Sequence, residues 1–284
     1  MSARATVTRL SHGAGHVGAR LTGATPMLPA FLIVGGKRCG STSLYEYVIR
    51  HPAVVPSRAQ KGTHYFDVNF VRGLGWYRSK FPTEARFGRD RDERRITGEA
   101  SPYYMFHPLA PARIAVTLPD VRLIAALRDP VERLWSHYRY SVARGCETLP
   151  ITDALDREPE RLAGEVERIE ADPAYQSYAH RHHTYLARGH YAEQVEALQA
   201  RFGRDRLLVL QSEALFAAPE ATLRRVFRFL DLDEEPVLGP LPVYKAGRDQ
   251  TMPPEVRERV DDYYAERNDR LYALPGIDFR WERR

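Results

Sequence analysis

Cysteine is scarce in this chain: its 284 residues include two, Cys39 and Cys146. Two thiols are too few for a disulfide framework, and they fit a reducing, cytoplasmic compartment. No Cys/His cluster has the spacing of a zinc site. His180, His182 and His183 lie in an Arg- and Tyr-rich stretch without an HExxH pattern and read as a solvated surface, so no metal is expected. Long apolar runs are missing too. Val121–Leu127, among the longest, is far shorter than the roughly 20 residues that cross a bilayer, so no transmembrane segment is expected. Met1 to Thr25 has scattered arginines but none of the continuous apolar stretch of a secretory signal. This Gly-, Ala-, Ser- and Thr-rich start reads as a flexible tail over 1–29, followed by a single domain over 30–284. Dense Lys/Arg blocks and nucleic-acid motifs are also absent. The net charge of +5 therefore points to nucleotides, phosphates or sulfated sugars as partners, and no nucleic acid is expected.

What is present alternates between strand and helix. Ala30–Gly36 is a short apolar run ending in paired glycines, which predicts a buried strand entering a tight loop. Ser41–Arg50 carries Leu44, Tyr47 and Val48 at helical spacing and stops at His51-Pro52. Val54–Pro56 and Ile96–Ala100 are further strands, and Val121–Leu127 is apolar enough to be central in a parallel sheet. Arg206–Leu210 is another. Helices are expected at Gly73–Phe81, Pro108–Leu118, Pro130–Ala143, Tyr191–Phe202, Pro219–Leu230 and Glu255–Leu271. The charged stretch Glu147–Asp172 has a helical pattern, either as a lid facing substrate or as a plain surface helix. The order predicts an α/β fold, a central parallel β-sheet flanked by helices.

Two motifs carry chemistry. In Gly35-Gly36-Lys37-Arg38-Cys39-Gly40-Ser41-Thr42-Ser43-Leu44, glycines allow close backbone approach, and three hydroxyl residues open a helix whose dipole favours an anion. Lys37 and Arg38 add full charge. This is a phosphate cradle, but not the GxxxxGK[ST] loop of nucleotide kinases, because the basic pair precedes the last glycine. In Leu127-Arg128-Asp129-Pro130-Val131-Glu132, Asp129 is a natural N-cap, Pro130 suits the first helical position, and Glu132 completes a capping-box pattern. Arg128 then stands at the carboxyl end of a central strand, where α/β sheets bind ligands, with Ser136 two turns along the helix.

At these residues the chain resembles the sulfotransferases that use 3′-phosphoadenosine-5′-phosphosulfate (PAPS). The resemblance runs over about 30–284 and implies a P-loop-NTPase-like sulfotransferase fold. It also implies transfer of a sulfuryl group to a hydroxyl or amine of a carbohydrate, glycolipid or small natural product, with release of 3′,5′-adenosine bisphosphate. It assigns Lys37, Arg38, Cys39, Gly40, Ser41, Thr42 and Ser43 to the 5′-phosphosulfate, with arginine at position 38 where the family usually has lysine. Either Lys37 or Arg38 would steady the departing oxygen. Arg128 and Ser136 match the 3′-phosphate pair, and Lys245-Ala246-Gly247-Arg248 loosely matches a C-terminal donor loop, so Lys245, Gly247 and Arg248 are assigned to the same phosphate.

His64-Tyr65-Phe66-Asp67 and Gly73-Leu74-Gly75-Trp76-Tyr77 resemble the Golgi heparan-sulfate sulfotransferases and their bacterial relatives. In that group a glutamate two residues before the histidine is the general base; here the position is Gly62. His64 and Glu99 are the substitutes, and Lys61 either orients the donor or is solvated. Trp76, Tyr103 and Tyr104 either stack on a sugar or fill the core. Two other activities stay open on the residues alone: a P-loop kinase-like phosphotransferase and a non-catalytic nucleotide-binding protein.

Overall fold

A computed structural model describes residues 25–83, 95–236, 238–239, 241 and 251–282. Five strands form one parallel sheet: β1 (Phe31–Gly35), β2 (Val54–Pro56), β3 (Ile96–Ala100), β4 (Arg122–Leu127) and β5 (Leu207–Gln211), in the order β2-β3-β1-β4-β5. The expected α/β class is thus the observed one. The helices are α1 (Ser41–Val48), α2 (Gly73–Arg78), α3 (Ala110–Thr117), α4 (Pro130–Ala143), α5 (Ile151–Asp156), α6 (Glu158–Leu162), α7 (Glu165–Ala171), α8 (Tyr178–His182), α9 (Tyr191–Phe202), α10 (Ser212–Ala217), α11 (Pro219–Phe229) and α12 (Pro254–Tyr272).

The central strands are short but continuous apolar runs because both faces of the sheet are covered. Leu32, Leu123 and Ala125 pack with Ile114 of α3 and Val195, Leu198 and Phe202 of α9. On the other face, Phe31, Ile33, Ile124 and Ala126 pack with Leu44 and Val48 of α1 and Val226 and Phe227 of α11. A satellite core joins α4, α5 and α12 through Leu134, Leu155, Val256 and Tyr264. Gly98 lies under the Phe31 ring, and a Cβ there would stand 2.4 Å from it, so the β1–β3 pairing needs glycine.

The sheet order creates the site. After β1 the chain turns toward β2 and β3, whereas after β4 it turns toward β5. A crevice opens where neighbouring parallel strands send their connections in opposite directions, here at the carboxyl ends of β1 and β4.

Two expectations change. The proposed tail includes residues that pack: Pro26 bridges Thr83, and the Met27 amide donates to Pro82 O at 2.8 Å. Residues 1–24 of that tail lie outside the described residues. The stretch Glu147–Asp172 is not one helix but α5, α6 and α7, divided where Pro159 opens α6 and where Gly164, at φ 74°, precedes α7. Among the described residues, no helix is long and apolar enough to cross a membrane.

Candidate active site

The loop between β1 and α1 is wound by its glycines. A Cβ on Gly36 would lie 2.8 Å from Cys39 Sγ, and Gly40 takes φ 80° at the N-cap of α1. Arg38 itself sits at φ 73°, so the loop makes two left-handed turns within three residues. Cys39 serves the loop and not the cleft. Its side chain is buried in the core, and its amide donates to Gly36 O at 3.1 Å. Its expected place among the donor-binding residues therefore does not extend to its thiol or its amide. Gly40, Ser41, Thr42 and Ser43 do line the cleft, and the first-turn amides of α1 have no acceptor within the helix.

Arg38 and Arg128 face the same cleft. Arg38 Nε donates to Ser136 Oγ at 3.0 Å, which ties the first motif to the second, and its guanidinium lies 4.8 Å from the centre of the Tyr140 ring. Burial lowers the Arg38 pKa, and Arg128 across the cleft lowers it further.

Asp129 caps α4 as its sequence demands: Oδ1 accepts from the amides of Val131 and Glu132, both at 2.9 Å. Glu132 does not complete a capping box. Its carboxylate bridges Arg128 at 3.3 Å and Arg257 of α12 at 2.5 Å. The Asp129 amide donates instead to Glu213 Oε1 at 3.0 Å, and the other Glu213 oxygen accepts from Trp281 Nε1 at 3.1 Å. Arg257, Arg280 and Trp281 thus border the Arg128 end of the cleft, and sequence reasoning had passed over all three. Lys245, Gly247 and Arg248 lie outside the described residues.

The segment from Lys61 to Asp67 forms a strap over the end of β3. It is seated by Ala100 N, which donates to Lys61 O at 3.1 Å. The seat is so close that a Cβ on Gly62 would lie 2.2 Å from Ala100 O and 2.6 Å from Ser101 Oγ. A glutamate cannot occupy this position in this backbone, which is the physical reason the usual base is missing.

His64 lines the cleft at φ 50°, with Nδ1 2.7 Å from the buried carboxylate of Asp67. That carboxylate accepts the Nδ1 proton, which leaves Nε2 as the free acceptor. Glu99, the other candidate base, does not line the cleft. It is wholly buried and accepts from Thr63 N at 2.6 Å, Ser101 Oγ at 2.9 Å, and the Tyr77 and Tyr104 hydroxyls at 3.0 Å each. Burial pushes its carboxyl up while these donors pull it down. Glu99 pairs with neither Lys37 nor Arg38; it anchors the strap from beneath.

The far end of the cleft is lined by the basic side chains of Lys37, Arg181, His182 and Arg188. Lys37 Nζ donates to Arg181 O at 3.1 Å, and burial with Arg188, Arg133 and Arg181 nearby pushes its pKa down to about 6. Arg188 is buried against the rings of Tyr103 and Phe106, 4.7 and 4.8 Å from their centres, and donates to His180 O at 3.0 Å and Arg181 O at 3.1 Å. The expectation of a solvated histidine surface fails here. His180 is buried, hydrogen-bonded to the Tyr103 hydroxyl at 2.7 Å, and burial holds its pKa down to about 3. His182, at the cleft wall, is held down to about 4 by burial and by Lys37. The wall facing the loop is therefore built by Tyr140–Cys146 and α8, and Glu147–Asp172, open between a lid and a plain surface helix, lines none of it. Tyr103 borders the cleft, Tyr104 belongs to the core, and Trp76 borders a separate small hollow. Among the described residues, no group of three His, Cys, Asp or Glu is arranged to hold a metal ion.

Together these walls enclose a cleft of about 1250 Å³, ample for a nucleotide and part of a second ligand. The sequence pattern of the sulfotransferase domain family matches residues 28–239. The chain belongs to the sulfotransferase family. It is 29% identical over 278 residues to mouse heparan sulfate glucosamine 3-O-sulfotransferase 3A1, a match that covers 90% of this chain and 65% of that protein. It is 23% identical over 321 residues to the membrane-associated sulfotransferase kil1 of Dictyostelium discoideum, covering 90% of this chain and 67% of that one. Among solved structures, a sulfotransferase from Alicyclobacillus acidocaldarius superposes with a TM-score of 0.62 at 29% identity, over 89% of this chain and 97% of that one. The expected family and its fold are therefore met, and the chain spans just under two thirds of the mouse relative's length.

Proposed function

We propose that this sulfotransferase binds PAPS across the β1/β4 crevice and transfers its sulfuryl group to a hydroxyl or amine of an acidic acceptor, a carbohydrate foremost. One observation carries the reading: Arg38 and Arg128 line a single cleft, and Arg38 donates to Ser136 on α4, the helix that begins just after Arg128. Two anion sites so placed suit a nucleotide with phosphate at both its 5′ and 3′ positions. The α1 end takes the 5′ phosphosulfate. Arg128, flanked by Arg257 and Arg280, takes the 3′-phosphate.

PAPS, when bound, supplies a sulfuryl group whose bond to the phosphate oxygen breaks as the acceptor oxygen or nitrogen attaches. His64 Nε2 takes the acceptor's proton, and Asp67 holds the ring and balances the imidazolium that forms. Arg38 neutralises the phosphate that departs as 3′,5′-adenosine bisphosphate. The acceptor enters past Lys37, Arg181 and His182; Arg181 supplies the standing positive charge of this wall, and Lys37, held at about 6, takes up a proton when a negative group arrives beside it. Two free thiols keep a reducing, cytoplasmic location as part of this proposal.

The test is a calorimetric titration with 3′,5′-adenosine bisphosphate and with ATP, each with and without magnesium. The bisphosphate should bind tightly and without need of magnesium; preference for ATP with magnesium would favour a kinase-like enzyme. Labelled PAPS presented with a panel of acidic and neutral saccharides then reads transfer. Donor binding without transfer to any acceptor would leave a nucleotide-binding protein.

A further inference from the structure

Three cations stand around the loop that opens α1, and they point in different directions. Arg38 reaches Ser136, toward the second motif. Lys37 reaches Arg181 O, toward the acceptor wall. Lys61 comes from the strap and places Nζ 2.7 Å from Thr42 Oγ1 and 3.3 Å from Ser41 Oγ, at the mouth of α1. It is therefore this lysine, outside the loop motif, that sits on the hydroxyls of the cradle.

Its placement is electrostatically costly unless an anion joins it. The amino end of α1 carries partial positive charge, and Arg38 adds a full one. Burial and Arg38 push the Lys61 pKa down to about 8, with only Glu46 opposing. A cation held against like charge by two neutral hydroxyls marks where negative charge is to arrive. The seat that holds it is the close contact of Gly62 with Ala100 O, so the residue that excludes the usual glutamate also brings Lys61 over the cradle.

We propose that Lys61 is a catalytic residue of this enzyme: its ammonium contacts the 5′-phosphosulfate of the donor and neutralises the oxygen that leaves with the phosphate. The proposal rests on the donor reading above and assigns its 5′ end. The loop position where the family usually has lysine is arginine here, engaged with Ser136, and Lys61 supplies the ammonium at that place. The hydroxyls of Ser41 and Thr42 hand it to the ligand, because they accept from it when the cradle is free and donate to phosphate oxygens when it is filled.

The test compares K61M and K61R with wild type in titrations of 3′,5′-adenosine bisphosphate and of adenosine 3′-phosphate, which lacks the 5′ group. K61M should weaken the bisphosphate about 10- to 100-fold, as loss of a charge-assisted contact does, and leave adenosine 3′-phosphate unchanged. Wild-type affinity for the bisphosphate should fall as pH rises above about 8, where free Lys61 loses its proton, with proton uptake on binding that depends on buffer ionisation heat. K61R should keep affinity and lose that alkaline fall, because arginine stays charged. Equal weakening of both nucleotides by K61M, or an alkaline fall that persists in K61R, would overturn the assignment. Failure of wild type to bind the bisphosphate at all would sink the donor reading and this proposal with it.

Discussion

The two ends of the cleft handle positive charge differently. At the Arg128 end, Arg128 and Arg257 share the carboxylate of Glu132, and Glu213 accepts from Asp129 N and Trp281 Nε1. At the Lys37 end, Arg181, Arg188 and Arg133 crowd a buried lysine, and no carboxylate is among the groups that raise its pKa. A carboxylate that holds two guanidiniums fixes their geometry in advance and gives them up when a phosphate arrives. Such preparation suits a ligand that is the same in every turnover. Beside Lys37, held at about 6, Arg181 supplies the standing positive charge of the cleft wall, while Asp67 and Glu158 offset Arg188, and that charge suits acceptors that bring their own negative charge.

His64 stands between the two ends, and its removal should have the largest effect. H64A is expected to lower sulfate transfer about 10²- to 10⁴-fold, the usual range for loss of a general base. Its affinity for 3′,5′-adenosine bisphosphate should stay within about threefold of wild type, since base work contributes little to nucleotide binding. Transfer rates from labelled PAPS, set beside calorimetric affinity, decide this. If transfer is unchanged, the base lies elsewhere. Glu99 would need to leave a fully enclosed position to replace it.

R128A attacks the prepared end. It should weaken 3′,5′-adenosine bisphosphate about 10- to 100-fold and adenosine 5′-phosphate hardly at all. E132Q is the finer probe: it keeps both arginines but removes the charge that orients them. Its effect on bisphosphate affinity should be smaller than that of R128A, with a steeper dependence on salt. R181A attacks the other end, because the Arg181 carbonyl, which holds Lys37 and Arg188, stays in place. It should weaken binding of a sulfated disaccharide about 3- to 10-fold and leave nucleotide affinity alone. Loss of nucleotide affinity in R181A would mean that the two ends are not separate sites.

Much of the prepared end is legible in the sequence. Strands β1 and β4 are apolar runs with clear stops, and Asp129-Pro130 announces the start of α4, so local signals place Arg38 and Arg128. The acceptor end is built by tertiary contact. Arg188 becomes a structural cation only because Tyr103 and Phe106, about eighty positions earlier, bring their rings against its guanidinium. Nothing in the run His180–Arg188 signals that. Glu99 was readable in part. It pairs in register with Leu32, whose side chain faces the core that contains Tyr77 and Tyr104, so strand parity turns Glu99 toward the same layer. Gly62 stood out as a departure from the family, but its cause needed the carbonyl of Ala100. The breaks in Glu147–Asp172 had their signals in Pro159 and Gly164, which the charge pattern outweighed.

The smallest effect concerns stability and sharpens the comparison most directly. Lys37 has its pKa pushed from the usual 10.5 down to about 6 by burial and by neighbouring guanidiniums. Between those values the unfolded chain binds a proton that the folded chain resists, so wild-type stability should rise with pH across that window. Below pH 6 both states carry the proton and the full penalty remains. K37M removes the buried cation, so its melting temperature should exceed that of wild type by about 2–4 °C or more near pH 6, the shift that ~1 kcal/mol gives a domain of this size. The advantage should shrink steadily toward pH 10. Scanning calorimetry of both proteins across that range reads the slope. A parallel pair of curves would mean that Lys37 carries no penalty and that its end of the cleft is as well prepared as the other.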